Sequence, residues 1–287
     1  MKFLNQNIHS DFLLLSQEIS DNTIDLVVTS PPYDDIRTYN DKVKTEKGEI
    51  FSFDFNRIVK ELYRVTKKGG VVVWVVGDQV KKGGETGNSF RQALSFIENG
   101  FLLHDTMIYM KNGAPFPEKK RYSQVFEYMF IFSKGKPKTV NIIKDKKNKW
   151  AGFQNFGKRV MRKKNGEMKE MPKFEIGEYG NRYNVWTYST GKNYSTKDEI
   201  AFNHPAIFPE ELAEDHILSW SNEGDIVLDP MVGSGTTSKM AKLNNRNYIG
   251  FDINEEYINI ANQRVDKVVP YTTDKPNPKS VFVVKKG

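Results

Sequence analysis

Residues 225–237 read Asp-Ile-Val-Leu-Asp-Pro-Met-Val-Gly-Ser-Gly-Thr-Thr, and few folds accept that order. Ile226, Val227 and Leu228 make a short apolar run of the kind found in a buried strand. Asp229-Pro230 ends it, because proline has no N–H to give to a ladder. Gly233-Ser234-Gly235 then forms a tight turn into a helix expected to start near Thr236, and glycines there let a ligand approach the backbone closely. The next strand, Tyr248 to Phe251, ends in Asp252, 19 residues after Gly233. An acid at that spacing commonly binds ribose hydroxyls in nucleotide-type sites. A phosphate-cradling GxxxxGK[ST] loop is absent, since Lys239 comes too late, and a dinucleotide fingerprint lacks its third glycine.

A second motif lies almost a chain-length away. Ile24-Asp25-Leu26-Val27-Val28 leads into Thr29-Ser30-Pro31-Pro32-Tyr33. The two prolines fix φ and stop the ladder, so the Ser30 hydroxyl, the Pro31 carbonyl and the Tyr33 ring are set at the end of a strand. In α/β proteins that carboxyl edge is where ligands bind. Two acceptors beside an aromatic plate suit a planar ring that bears an amino group. Taken alone, the prolines serve equally well as a plain strand-ending turn.

Together the two motifs resemble those of the amino-group DNA methyltransferases that use S-adenosylmethionine. The catalytic motif of that family, (D/N/S)PP(Y/F), matches Ser30, Pro31, Pro32 and Tyr33, and its cofactor motif matches Asp229 to Thr237, with Met231 where Phe is usual. The catalytic motif comes first here and the cofactor motif last, an order that resembles the beta group. The resemblance covers roughly residues 1–133 and 200–268. It implies an α/β fold: a Rossmann-like seven-stranded methyltransferase sheet, mostly parallel with an antiparallel edge strand, plus a basic inserted target-recognition region. It further implies S-adenosylmethionine as cofactor, with contacts from Asp11, His204, Phe208, Asp229, Pro230, Gly233, Ser234, Gly235, Thr236 and Asp252. For Asp11 a plain cap or turn role stands equally open. Ser in the first motif position usually accompanies methylation of the 4-amino group of cytosine, whereas Asp or Asn accompanies adenine. The chemistry is demanding, because the lone pair of that amine is delocalised into the ring. Ser30 and Pro31 can accept its hydrogens and stabilise the charge that develops on nitrogen, Tyr33 can stack on the base, and the base must flip out of the duplex to be reached.

Composition narrows the chemistry further. The 287-residue chain has no cysteine, which excludes disulfides, cysteine-ligated zinc and the cysteine nucleophile that methylation of cytosine C5 normally needs. Four scattered histidines show no ligand spacing, so no metal is expected. No apolar run reaches 18 residues and the start lacks a secretory pattern, so no membrane partner is expected.

Between the motifs, apolar spacing at 53–67 predicts a helix, 71–76 a buried strand, 89–98 a helix, and 104–110 and 125–132 two strands that suit an antiparallel hairpin at one edge. From 134 to 199 the periodicity fades. Seventeen basic residues stand against seven acids there, a net +10 in a chain whose total is +7. Interleaved with Trp150, Phe153, Phe156, Tyr179 and Tyr183, this composition points to a nucleic-acid surface. Lys158, Arg159, Arg162, Lys163 and Lys164 are the candidate DNA contacts, with a solvated insertion as the alternative. Asn184-Val185-Trp186 resembles the motif that follows the family's target-recognition region. The expected organisation is a catalytic half at 1–133, a target-recognition insert at 134–199, a cofactor-binding half at 200–268 and a loose or docked tail at 269–287. Double-stranded DNA is the expected partner, with a cognate restriction endonuclease as a second and a monomer or homodimer as the assembly. A cytoplasmic site in a bacterial, archaeal or phage setting goes with these. Adenine-N6 methylation, or a non-catalytic nucleic-acid-binding relative, is the alternative function.

Overall fold

The computed structural model describes residues 2–31, 54–113, 120–154 and 160–285. Its centre is one sheet of eight strands. In chain order these are β1 (Gln6–His9), β2 (Ile24–Thr29), β3 (Thr66–Val76), β4 (Leu102–Lys111), β5 (Phe126–Ser133), β6 (Val185–Tyr188), β7 (Ile226–Asp229) and β8 (Asn247–Asp252). Their order across the sheet is β1-β8-β7-β2-β3-β5-β4-β6. Every pairing is parallel except the two made by β5, which runs antiparallel to both β3 and β4.

The central strands read as near-continuous apolar runs because both faces are covered. Val71 to Val76 are all at most 2% exposed, as are Leu26 to Val28. One face packs on α1 (Phe12–Leu15), α2 (Phe55–Val65) and α3 (Asn88–Glu98), with Ile58, Val59, Leu62 and Phe96 against Val72, Trp74 and Phe132. The other face packs on α4 (Glu210–Trp220) and α5 (Thr236–Leu243), with Leu212, Ile217 and Met240 against Leu26, Val73 and Val227. α6 (Glu255–Asp266) follows the last strand of the sheet and packs against α5 and β1.

The sheet differs from the expected one in two respects. It has eight strands, because β6 adds a further parallel strand outside β4, and the antiparallel strand is interior, because β5 lies between β3 and β4. β6 alternates exposed Val185 and Thr187 with buried Trp186 and Tyr188, an edge-strand pattern hidden within polar sequence. The basic segment is therefore stitched into the sheet at its far end. Its remainder forms small ladders, among them an exposed hairpin pairing Val160–Arg162 with Met168–Glu170.

The tail is docked. Val283–Lys285 pairs with Asn141–Ile143, and Lys279 Nζ lies 2.8 Å from Asp215 and 3.0 Å from Glu214. Arg182 reaches the same Asp215 at 2.5 Å and also pairs with Asp145. Its charge is thus spent inside the fold, not on the basic surface.

Candidate active site

Parallel strands present their carboxyl ends on one edge, and β5, running the other way, contributes its beginning there. That edge holds a cavity of about 490 Å³, within the usual range for small-molecule sites. Its lining falls into two parts. One comes from the glycine turn and the ends of β7 and β8, and the other from the ends of β2 and β4 and the start of β5.

In the first part, the backbone N–H of Gly233 donates to Asp252 Oδ2 at 2.9 Å, and that of Asn254 donates to Oδ1 at 2.9 Å. The carboxylate is thereby fixed against the turn. Burial is the chief cause that pushes its pKa up, to about 6, against the opposing pull of those backbone donors. Gly233 has φ +48°, and a Cβ there would lie 2.8 Å from His204 Nε2, so nothing larger fits without moving the ring. His204 Nδ1 lies 2.6 Å from the Ala206 carbonyl, and its ring meets Tyr257 edge-on at 4.3 Å. Pro230, Ser234, Thr236, His204, Phe208 and Asp11 all line the cavity. Asp11 is also the N-cap of α1, accepting from Leu13 N at 2.8 Å, which is the cap role foreseen for it.

Asp229 and Gly235, read from sequence as cofactor contacts, sit behind this lining. Asp229 is 1% exposed and accepts from Thr29 Oγ1 at 2.8 Å, which ties the end of β7 to the end of β2. Burial raises its pKa to about 6 as well. Gly235, at φ +82°, is where α6 comes closest: a Cβ would sit 2.6 Å from Ala261 Cβ. Neither is among the residues that line the cavity, and both hold the turn in place.

In the second part, Ser30 lines the cavity directly after β2, and Pro31 beside it is buried. Pro32 and Tyr33 lie outside the described residues, as do Lys158 and Arg159. Arg162, Lys163 and Lys164 are on the exposed hairpin, where Lys163 pairs with Glu167 at 2.8 Å.

Sequence reasoning missed two groups. Tyr109, Lys111 and Glu127 line the cavity on the Ser30 side, and a Tyr-x-Lys pair at the end of a strand was their only signal. Arg264, 1% exposed on α6, donates to Ser234 O at 2.6 Å, Thr236 Oγ1 at 3.2 Å, Asp198 at 3.0 Å and Glu210 at 2.5 Å. Lys239 joins the same two carboxylates at 2.7 Å each. The glycine turn thus rests on a buried ionic knot built from three distant segments, which no local motif announces. Among the described residues, no cluster of His, Asp or Glu is arranged to hold a metal ion, and no helix is long and apolar enough to cross a membrane.

A family model described as DNA methylase matches residues 24–263. The chain is 59% identical to the orphan methyltransferase M.BamHII of Bacillus amyloliquefaciens over 256 residues, 89% of this chain and 93% of that protein. It is 26% identical to the DNA adenine methyltransferase YhdJ of Escherichia coli over 278 residues, 93% of this chain and 85% of that protein. Among solved structures, PvuII DNA methyltransferase, titled cytosine-N4-specific, superposes with a TM-score of 0.62 at 21% identity, covering 90% of this chain and 85% of that one, a likeness of fold. With the glycine turn, the timed acid and the Ser30-Pro31 strand end on one sheet edge, the chain belongs to the DNA methylase family of N6/N4 amino-group methyltransferases.

Proposed function

We propose that the chain transfers a methyl group from S-adenosylmethionine to the exocyclic 4-amino group of cytosine in duplex DNA. The observation that carries this reading is that Ser30 and the Gly233–Asp252 turn line one and the same cavity. When bound, the cofactor supplies an electrophilic methyl group. Asp252 would accept from its ribose hydroxyls, the Gly233 to Thr236 backbone lets it approach closely, and His204, Phe208 and Asp11 would wall it in.

On the other side, the Ser30 hydroxyl and the Pro31 carbonyl would accept the two hydrogens of the target amine. That draws the nitrogen lone pair out of the ring plane and stabilises the positive charge that grows as nitrogen attacks. Tyr33 would stack on the base, which leaves the duplex at an unstacking cost of a few kcal/mol. Asp229, bonded to Thr29 one residue before Ser30, keeps the two halves in register. The exposed hairpin with Arg162, Lys163 and Lys164 would meet the phosphate backbone, and a cognate restriction endonuclease would be a separate chain.

Adenine-N6 methylation is the second reading, favoured by the adenine-directed relative from Escherichia coli. Ser30 supports cytosine, since a neutral hydroxyl stands where adenine enzymes carry Asp or Asn. The test is to incubate purified protein with unmethylated DNA and the cofactor, digest the DNA to nucleosides and measure their masses. N4-methylcytosine is the expected product. N6-methyladenine as the sole methylated base would overturn the cytosine reading.

A further inference from the structure

Tyr109 presents an unusual combination. It is 2% exposed, its side chain belongs to the core cluster, and it lines the cavity. Among the described residues its hydroxyl has no hydrogen-bond partner. Burial raises its pKa, with Glu127 adding to the effect, so the phenol stays protonated and remains a donor. A phenol that lines a cavity from the core marks a place where a ligand atom can complete the bond.

Next to it stands an ion pair. Glu127 is directly opposite Tyr109 in the β4–β5 register, and Lys111 follows two residues later on the same face. Lys111 Nζ lies 2.5 Å from Glu127 Oε1, with side chains 31% and 11% exposed. A largely desolvated pair of this kind is a weak source of stability. Lining a cavity, it offers a fixed, charged donor.

The chemistry of the target base supplies the match. If Ser30 and Pro31 hold the amino group of cytosine, the rest of its Watson–Crick edge is ring N3 and O2, both acceptors. Adenine presents one acceptor, N1, beside its amino group and then a C–H. Two donors lining the same cavity as Ser30 therefore fit cytosine and leave one bond unmade with adenine, a loss that buried polar sites penalise.

We propose that Lys111, held by Glu127, donates to ring N3 of the flipped cytosine and that the Tyr109 hydroxyl donates to O2, so that these residues set the choice of base. This rests on the cytosine reading above. Lys111 and Tyr109 touch the substrate, whereas Glu127 is a positioning residue.

The test begins with the product nucleoside and with mapping of the modified site by sequencing. A synthetic duplex then carries, at the target, either cytosine or an analogue whose ring N3 is replaced by C–H. Single-turnover methyl transfer is compared in the wild type, Tyr109→Phe and the charge-neutral double variant Lys111→Met/Glu127→Gln. Cofactor affinity by calorimetry and thermal melting report on folding. The wild type should slow roughly ten- to hundredfold on the analogue. The double variant should slow by a similar factor on cytosine and no further on the analogue, with cofactor affinity unchanged. Tyr109→Phe should be slow on cytosine yet keep the full analogue penalty. A merely structural role would leave the analogue penalty the same in all three proteins. N4-methylcytosine as product with that uniform penalty, or with none in the wild type, overturns this inference alone. N6-methyladenine as product overturns the functional reading and this inference with it.

Discussion

Asp252 shows how one side chain joins fold and chemistry. Its carboxylate organises the glycine turn through Gly233 N and Asn254 N, and burial pushes its pKa up to about 6. Accepting from hydroxyls needs the ionised form, so cofactor affinity should fall as pH drops through about 6 and level off above 7. His9 and Tyr257 are its ionisable neighbours, and Asp229, also pushed up to about 6, shares that range. Asp252→Asn separates the two carboxyls. It should weaken binding by about 1–3 kcal/mol at pH 8 and flatten the pH dependence, while an unchanged profile by calorimetry would assign the titration to Asp229. Stability moves the opposite way. The folded state binds protons more tightly than the unfolded chain at both carboxyls, so their contribution to stability rises as pH falls from 7 toward 4. Low pH should therefore weaken the cofactor complex without unfolding the protein through these groups.

At the scale of elements, the glycine turn is held from behind by α6. Arg264→Met would leave Lys239 as the one cation, among the described residues, paired with Asp198 and Glu210, and should destabilise the protein by about 3–5 kcal/mol. Arg264→Lys should recover part of the melting temperature but less of the cofactor affinity, because one ammonium cannot serve Ser234 and both carboxylates together. Equal recovery of both would reduce Arg264 to a stability residue. The exposed hairpin makes a separate prediction. If Lys163 and Lys164 contact phosphates, Lys163→Ala/Lys164→Ala should flatten the salt dependence of DNA binding by about one to two units of slope and leave cofactor binding alone. A wild-type slope would make them a solvated face; the Lys163–Glu167 pair is too exposed to matter much for stability.

At the scale of the whole molecule, the parts legible in the sequence were those with local punctuation. The strand into Asp229, the glycine turn, the helix from Thr236 and the strand into Asp252 appear where their prolines, glycines and apolar runs placed them. What stayed hidden depends on contacts between distant segments. β6 is four residues within polar sequence and becomes a strand because β4 would otherwise expose an unpaired edge. The docked tail is held by Lys279 and Asn277 against residues more than 60 positions away or 33 away. Tyr109, Lys111 and Glu127 became candidates only when β5, running against its neighbours, put its first residues on the edge where β4 ends.

The central claim is that one cavity divides its labour, with Asp252 and the glycine turn for the cofactor and Ser30 for the amine. The most direct measurement is single-turnover methyl transfer by Ser30→Ala alongside its cofactor affinity by calorimetry. The account predicts transfer slowed by about a hundredfold or more with cofactor affinity within twofold of wild type. Unimpaired transfer, or transfer and cofactor binding lost in equal measure, would contradict it.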